Sequence, residues 1–105
     1  MKALAVVYSK EARQDLHSIF DYIRLFRASS AEDFLSVVDR AVGRIAALPR
    51  SGPAARDKKL KVRGYRYIAI GEYLLFYRYS NTTVTVLRFV HGRRHYVPLL
   101  ISSDR

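Results

Sequence analysis

YLLFYRYSNTTVTVLRFVHGRRHY, residues 73–96, decides the fold. Two of its runs, 73–79 and 82–90, are rich in the β-branched and aromatic residues that pack well on a pleated surface, and Ser80-Asn81 between them reads as a tight turn. A third run, 65–70, precedes them across Gly71-Glu72, a second tight turn. The stretch is therefore an antiparallel meander. With two-residue turns, one face carries Ile68, Ile70, Leu75, Tyr77, Val84 and Val86. The other carries Tyr65, Tyr67, Leu74, Phe76, Arg78, Thr85, Leu87 and Phe89. Both faces are partly apolar.

Upstream, the valine-rich run 3–8 is short enough to be a strand, and Ser9 is placed to cap a helix whose first turn carries Glu11. Ala12, Leu16, Ile19, Phe20, Ile23 and Phe26 step by three and four along that helix, with Arg13, Asp21 and Arg24 outside the stripe and His17 on its margin. Ser29 and Glu32 have capping-box spacing, which predicts a second helix through Phe34, Leu35, Val38, Ala41, Val42, Ile45 and Leu48. Pro49 ends it. The two helices make an antiparallel hairpin that covers one sheet face. Residues 50–57 read as a loop, which Lys58, Lys59, Lys61 and Arg63 extend as a mobile basic segment. The second face, around Leu74, Phe76, Leu87 and Phe89, is either open to a partner or covered by the segment 97–101 folding back. The expected architecture is a single α+β domain over 1–105, in the order β-α-α-β-β-β.

With 105 residues, half of them hydrophobic, the chain has material for a core that buries about two-thirds of its unfolded surface. Cysteine is absent, which excludes disulfides, thiolate metal sites and a cysteine nucleophile. No run approaches the roughly 18 apolar residues of a membrane span, and the first residues turn charged too early for a signal peptide, so a cytoplasmic protein is expected. Nineteen Lys and Arg against nine Asp and Glu give a net charge of +10. Twelve of those cations lie from Arg50 onward, where only Asp57, Glu72 and Asp104 oppose them, so some of Arg78, Arg88, Arg93 and Arg94 are expected to meet carboxylates of a partner. His91 is better explained as a hydrogen-bonded structural histidine than as a ligand. The glycines of the meander are turn residues, since no phosphate-cradling helix follows any of them.

The segments GEYLLFYR at 71–78 and LRFVHGRR at 87–94, with the helical hairpin ending in LPRSG at 48–52, resemble the ParE branch of the ParE/RelE toxin superfamily over nearly the whole chain. The resemblance implies a type II toxin that traps DNA gyrase on cleaved DNA and is neutralised, in a hetero-oligomer, by an acidic ParD-like antitoxin. It implies no cofactor, no metal and no catalytic residue. Target contact then falls to Arg88, Arg93, Arg94, His95 and Tyr96, and antitoxin binding to Ile19, Ile23, Phe34, Val38, Leu74, Phe76, Arg78, Leu87 and Phe89. RelE-like relatives instead cut messenger RNA on the ribosome. Leu74 stands where those relatives carry an arginine, which weighs against nuclease chemistry. His95 stands where ParE proteins more often carry an acidic residue, which keeps an endoribonuclease as the alternative, with Arg88, His91, Arg94, His95 and Tyr96 as its candidates. A degenerate, non-toxic basic binding module is the third reading.

Overall fold

The strand-to-helix transition falls where Ser9 sits: its hydroxyl oxygen accepts the Ala12 amide at 2.9 Å and opens helix α1 (Lys10–Arg24). The protein is described by a computed structural model covering residues 2–103. Strand β1 (Ala5–Tyr8) leads into α1, and α2 (Ala28–Ala47) packs back on it after the short connection 25–27. The capping box at Ser29 does not form. Arg27, in an extended conformation, is the N-cap and its carbonyl accepts the Ser30 and Ala31 amides, so the first turn closes before Ser29 can serve as a cap.

Strands β2 (Arg66–Ile70), β3 (Tyr73–Tyr79) and β4 (Thr83–His91) form the expected meander, and β1 joins its edge, giving a four-stranded sheet in the order β1-β4-β3-β2. β1 runs parallel to β4, as a strand returning through a helical crossover does. The Gly71-Glu72 turn is the tight one expected, with Ile70 paired to Tyr73 and Gly71 at a φ of 59° that suits glycine. The next turn is longer. The Ser80 hydroxyl oxygen accepts the Thr82 and Thr83 amides, and β4 starts at Thr83.

Face assignments hold along β4 only as far as Leu87. Phe76 pairs with Arg88 but Tyr77 pairs with Val86, so Leu87 is an extra residue and the alternation flips beyond it. Phe89, expected on the second face, therefore lies with the helices and stacks on Tyr8 at a ring separation of 6.4 Å. Val90 takes its place on the second face. The core under the hairpin joins Ile19, Val38, Val42 and Ile45 to Leu75, Tyr77, Val84, Val86 and Phe89. Phe26 and Leu48, read as stripe residues, lie at the helix ends and are 75% and 63% exposed.

The second face is covered. Helix α4 (Val97–Ser103) folds over it, Leu100 is fully buried beside Phe76, Tyr65 and Val90, and the Tyr65 hydroxyl donates to the Leu100 carbonyl at 3.2 Å. The basic segment expected to be mobile is a five-residue helix, α3 (Lys58–Val62), whose N-terminus is capped by the Asp57 carboxylate and whose Leu60 is buried in the same cluster.

Tyr77 ties the 48–52 corner to the sheet: its buried hydroxyl donates to the Pro49 carbonyl at 2.7 Å and accepts the Gly52 amide at 3.0 Å. Burial raises the phenol pKa, partly offset by the Gly52 amide. A Cβ on Gly52 would lie 2.6 Å from that hydroxyl and 2.8 Å from the Tyr67 carbonyl, so only glycine fits. Tyr77→Phe leaves two backbone groups unpaired and should cost about 1–3 kcal/mol. Gly52→Ala should cost about as much through overpacking. Urea unfolding checks both, and stabilities within about 0.5 kcal/mol of wild type, the range of an ordinary surface substitution, contradict this account of the corner.

Candidate functional site

β1 ends opposite Val86, while β4 continues to His91, so the outer edge of β4 beyond that point faces helix α1 and not another strand. Side chains of α1 and its cap satisfy it. The Ser9 hydroxyl donates to the Leu87 carbonyl at 2.8 Å, and an Asp15 carboxylate oxygen accepts the Phe89 amide at 3.0 Å. The same carboxylate pairs with Arg88 through Nε at 2.7 Å and Nη2 at 3.0 Å, the two-pronged geometry that makes Arg–carboxylate pairs strong. Both side chains are about 15% exposed, and the hydrogen bond that Arg88 donates to Asp15 raises the Arg88 pKa further. Arg88, read as a target contact or nuclease residue, is thus engaged within the fold by a carboxylate from the first half of the chain.

The other residues of that group occupy one turn at the end of β4. His91 lies 3.7 Å from Glu72 and its ring packs edge-on to Tyr73, while its carbonyl and Nδ1 accept the Arg94 and Arg93 amides. Arg93, Arg94 and His95 are exposed, and Tyr96 turns back to pack on Phe76 at 5.1 Å. Arg78 lies over the Tyr65 ring at 5.0 Å and donates to the Arg63 carbonyl. Asp104, counted among the opposing carboxylates, lies outside the described residues.

The residues expected to bind a partner do not form one surface. Ile19, Val38 and Phe89 are buried beneath the hairpin, and Phe76 is buried on the opposite face under α4. Ile23, Phe34, Leu74, Arg78 and Leu87 are partly exposed and are divided between the two faces. A charged residue at Phe76 therefore disturbs the core and not a docking surface.

One stretch of accessible apolar surface lies on the outside of the hairpin. Leu16, Phe20 and Leu35, bordered by Arg13 and His17, line a groove of about 310 Å³, and Tyr22, Leu25 and Phe26 project from the hairpin tip at 57%, 83% and 75% exposure. A sequence signal for it exists. Ile19-Phe20 and Phe34-Leu35 are adjacent pairs, and neighbours on a helix point about 100° apart, so one member of each pair turns away from the core. On the second sheet face, Leu60, Tyr67, Leu74, Phe76 and Tyr96 line a pocket of about 240 Å³ with Arg56 and Asp57. Among the described residues no three His, Asp or Glu side chains come together as metal ligands, and no helix is long and apolar enough to cross a membrane.

A family model described as the ParE toxin of the type II toxin-antitoxin system parDE matches residues 6–96. The chain belongs to the ParE toxin family. Two solved structures resemble this ParE-family chain. One is described as the chromosomal ParDE toxin-antitoxin system of P. aeruginosa: it is 17% identical, with a TM-score of 0.67 over 85% of this chain and 96% of the other. The second is described as the toxin-antitoxin complex RelBE2 of Mycobacterium tuberculosis: it is 29% identical, with a TM-score of 0.61 over 87% of this chain and 93% of the other. No curated protein matches the chain. These likenesses agree with the α+β architecture described above, and the type II toxin-antitoxin assignment rests on the family match.

The Asp15–Arg88 pair is central to this arrangement. Asp15→Asn should strand the guanidinium and cost about 2–4 kcal/mol, below the figure for a fully buried pair because both groups keep some solvent. A denaturation midpoint equal to that of wild type by circular dichroism would show the pair to be energetically idle.

Proposed function

We propose that this ParE-family chain is a toxin that inhibits DNA gyrase in the cytoplasm and is held inactive by an acidic, ParD-like antitoxin. The observation that supports inhibition over RNA cleavage is the engagement of Arg88. Of the two arginines weighed as nuclease candidates, Arg88 is the one on the sheet, and Asp15 neutralises it, while Leu74 offers no substitute. What remains at the end of β4, Arg93, Arg94 and His95 beside Tyr96, is exposed and suits contact with a target.

Purified toxin should inhibit gyrase supercoiling and leave linearised plasmid after denaturation, while messenger RNA in a translation reaction stays intact. Cut message with unaffected gyrase would overturn the proposal and move the activity to the endoribonuclease reading.

For the antitoxin, the outer groove is the surface we assign. Apolar side chains at Leu16, Phe20 and Leu35 bordered by Arg13 and His17 suit an amphipathic helix with acidic flanks, ordered on binding. Phe20→Glu should weaken binding of an acidic ParD-like antitoxin at least about tenfold by calorimetry, a change of roughly 1.4 kcal/mol or more. The thermal midpoint of the free toxin is the control for folding, and unchanged affinity in a folded variant removes the groove from the assignment.

A further inference from the structure

We propose that the cationic border of the second sheet face, built by α3, the residue preceding its cap and the turn after β4, docks on the phosphate backbone of duplex DNA. The proposal goes beyond gyrase inhibition and does not depend on it.

Arg56, Lys58, Lys59, Lys61, Arg93 and Arg94 are all exposed, and among the described residues none of them is in an ion pair. The nearest carboxylate in sequence, that of Asp57, is committed to capping α3 through the Lys59 and Leu60 amides. These charges repel one another, and a polyanion relieves the repulsion. Their carriers are held. Leu60 anchors α3 in the second core, and the His91 carbonyl and Nδ1 fix the Arg94 and Arg93 amides. The two groups border the same sheet face, because α3 contacts α4 and Tyr96 shares a pocket wall with Arg56 and Leu60. A rigid cationic surface loses less side-chain and backbone freedom on binding than a mobile lysine tail.

The chemistry of the patch selects among polyanions. Half of the six cations are lysines, strongly hydrated point charges suited to phosphate and not to the two-pronged reading of base edges. Single-stranded nucleic acid asks for open ring faces on which bases stack. Here the rings are spent on one another: Phe76 is 1% exposed, with Tyr67 at 5.9 Å and Tyr96 at 5.1 Å from it. A lipid surface asks for apolar residues to bury, and the patch presents Val62 as its exposed large hydrophobe.

The test is fluorescence anisotropy of a labelled duplex of about twenty base pairs of arbitrary sequence, titrated with the full chain between about 50 and 200 mM salt. The logarithm of the association constant should fall with the logarithm of salt at a slope of about −0.9 per phosphate contacted. Replacing Lys58, Lys59 and Lys61 together by Gln should make that slope shallower by about 0.9 for each lysine, with an unchanged thermal midpoint. Replacing Lys2, Lys10 and Arg40 by Gln removes the same charge from elsewhere and should leave the slope within about 0.5 of wild type, less than one phosphate contact. Equal effects of the two triple variants would reduce the finding to net charge and overturn the site. So would tighter binding of a single strand of equal length, binding confined to phosphatidylserine vesicles, or no duplex binding at the lowest salt. Because gyrase is absent from the assay, failure here leaves the inhibitor reading standing, and failure of that reading leaves this surface standing.

Discussion

A single carboxylate closes the weak point of the sheet. β4 is the longest strand and outruns β1, which leaves backbone groups along its far edge that a soluble protein must pair or expose. Asp15 accepts the Phe89 amide and both prongs of Arg88, and Ser9 covers the Leu87 carbonyl as it opens α1. Helix α1 thereby does the work of a missing strand. The Leu87 bulge sits at the same place, and the extra residue there turns Phe89 inward against Tyr8 and Val90 outward toward Phe76. One local irregularity lets β4 contribute to both cores.

The charge imbalance of the second half is handled in two ways. Arginines that belong to the sheet find partners within the chain. Arg66 donates to the Gly52 carbonyl and lies over Tyr79, Arg78 uses the Arg63 carbonyl and the Tyr65 ring, and Arg88 takes Asp15 from α1. The expectation that such arginines await an outside carboxylate counted only the acids nearby in sequence. Carbonyl oxygens, ring faces and a distant aspartate satisfy a guanidinium as well. Among the described residues, the lysines of α3 and the arginines after β4 are in no ion pair and are exposed.

What the sequence made legible follows from periodicity. Helical spacing placed α1 and α2, alternation placed β2 to β4, and Ser9 marked a boundary because its hydroxyl has one obvious use. What escaped depends on contacts distant in sequence or on lengths too short to show a period. A bulge leaves no composition signal at Leu87, yet it reverses every face after it. The five residues of α3 are fewer than two helical turns, so Lys58 to Val62 looked like a charge cluster. The Ser29–Glu32 spacing was sound as a pattern and lost to a connection that began the helix earlier. At the candidate site the C-terminal cations were legible as composition, whereas the partnership of Arg88 was not, because Asp15 lies 73 residues away.

The distribution of surface chemistry separates two kinds of association. The first half of the chain nearly balances its charges and presents its uncovered apolar surface on the hairpin at Leu16, Phe20, Leu35 and the Tyr22–Phe26 tip. The second half covers its apolar face with α3 and α4 and presents cations. On the readings proposed above, binding at the hairpin rests on dehydration of apolar groups, which salt does not weaken, whereas binding at the cationic surface rests on counterion release, which salt weakens steeply. The groove and the lysines are built by different elements. On the reading proposed here, an antitoxin that occupies only the hairpin must act by blocking the target or by restricting the fold. On the same reading, neutralising the cationic surface takes a second, acidic segment of the antitoxin beyond the one in the groove. If both proposals hold, the two surfaces set a length and a charge pattern for the inhibitor: an amphipathic helix for the groove, joined to enough chain to carry carboxylates to α3.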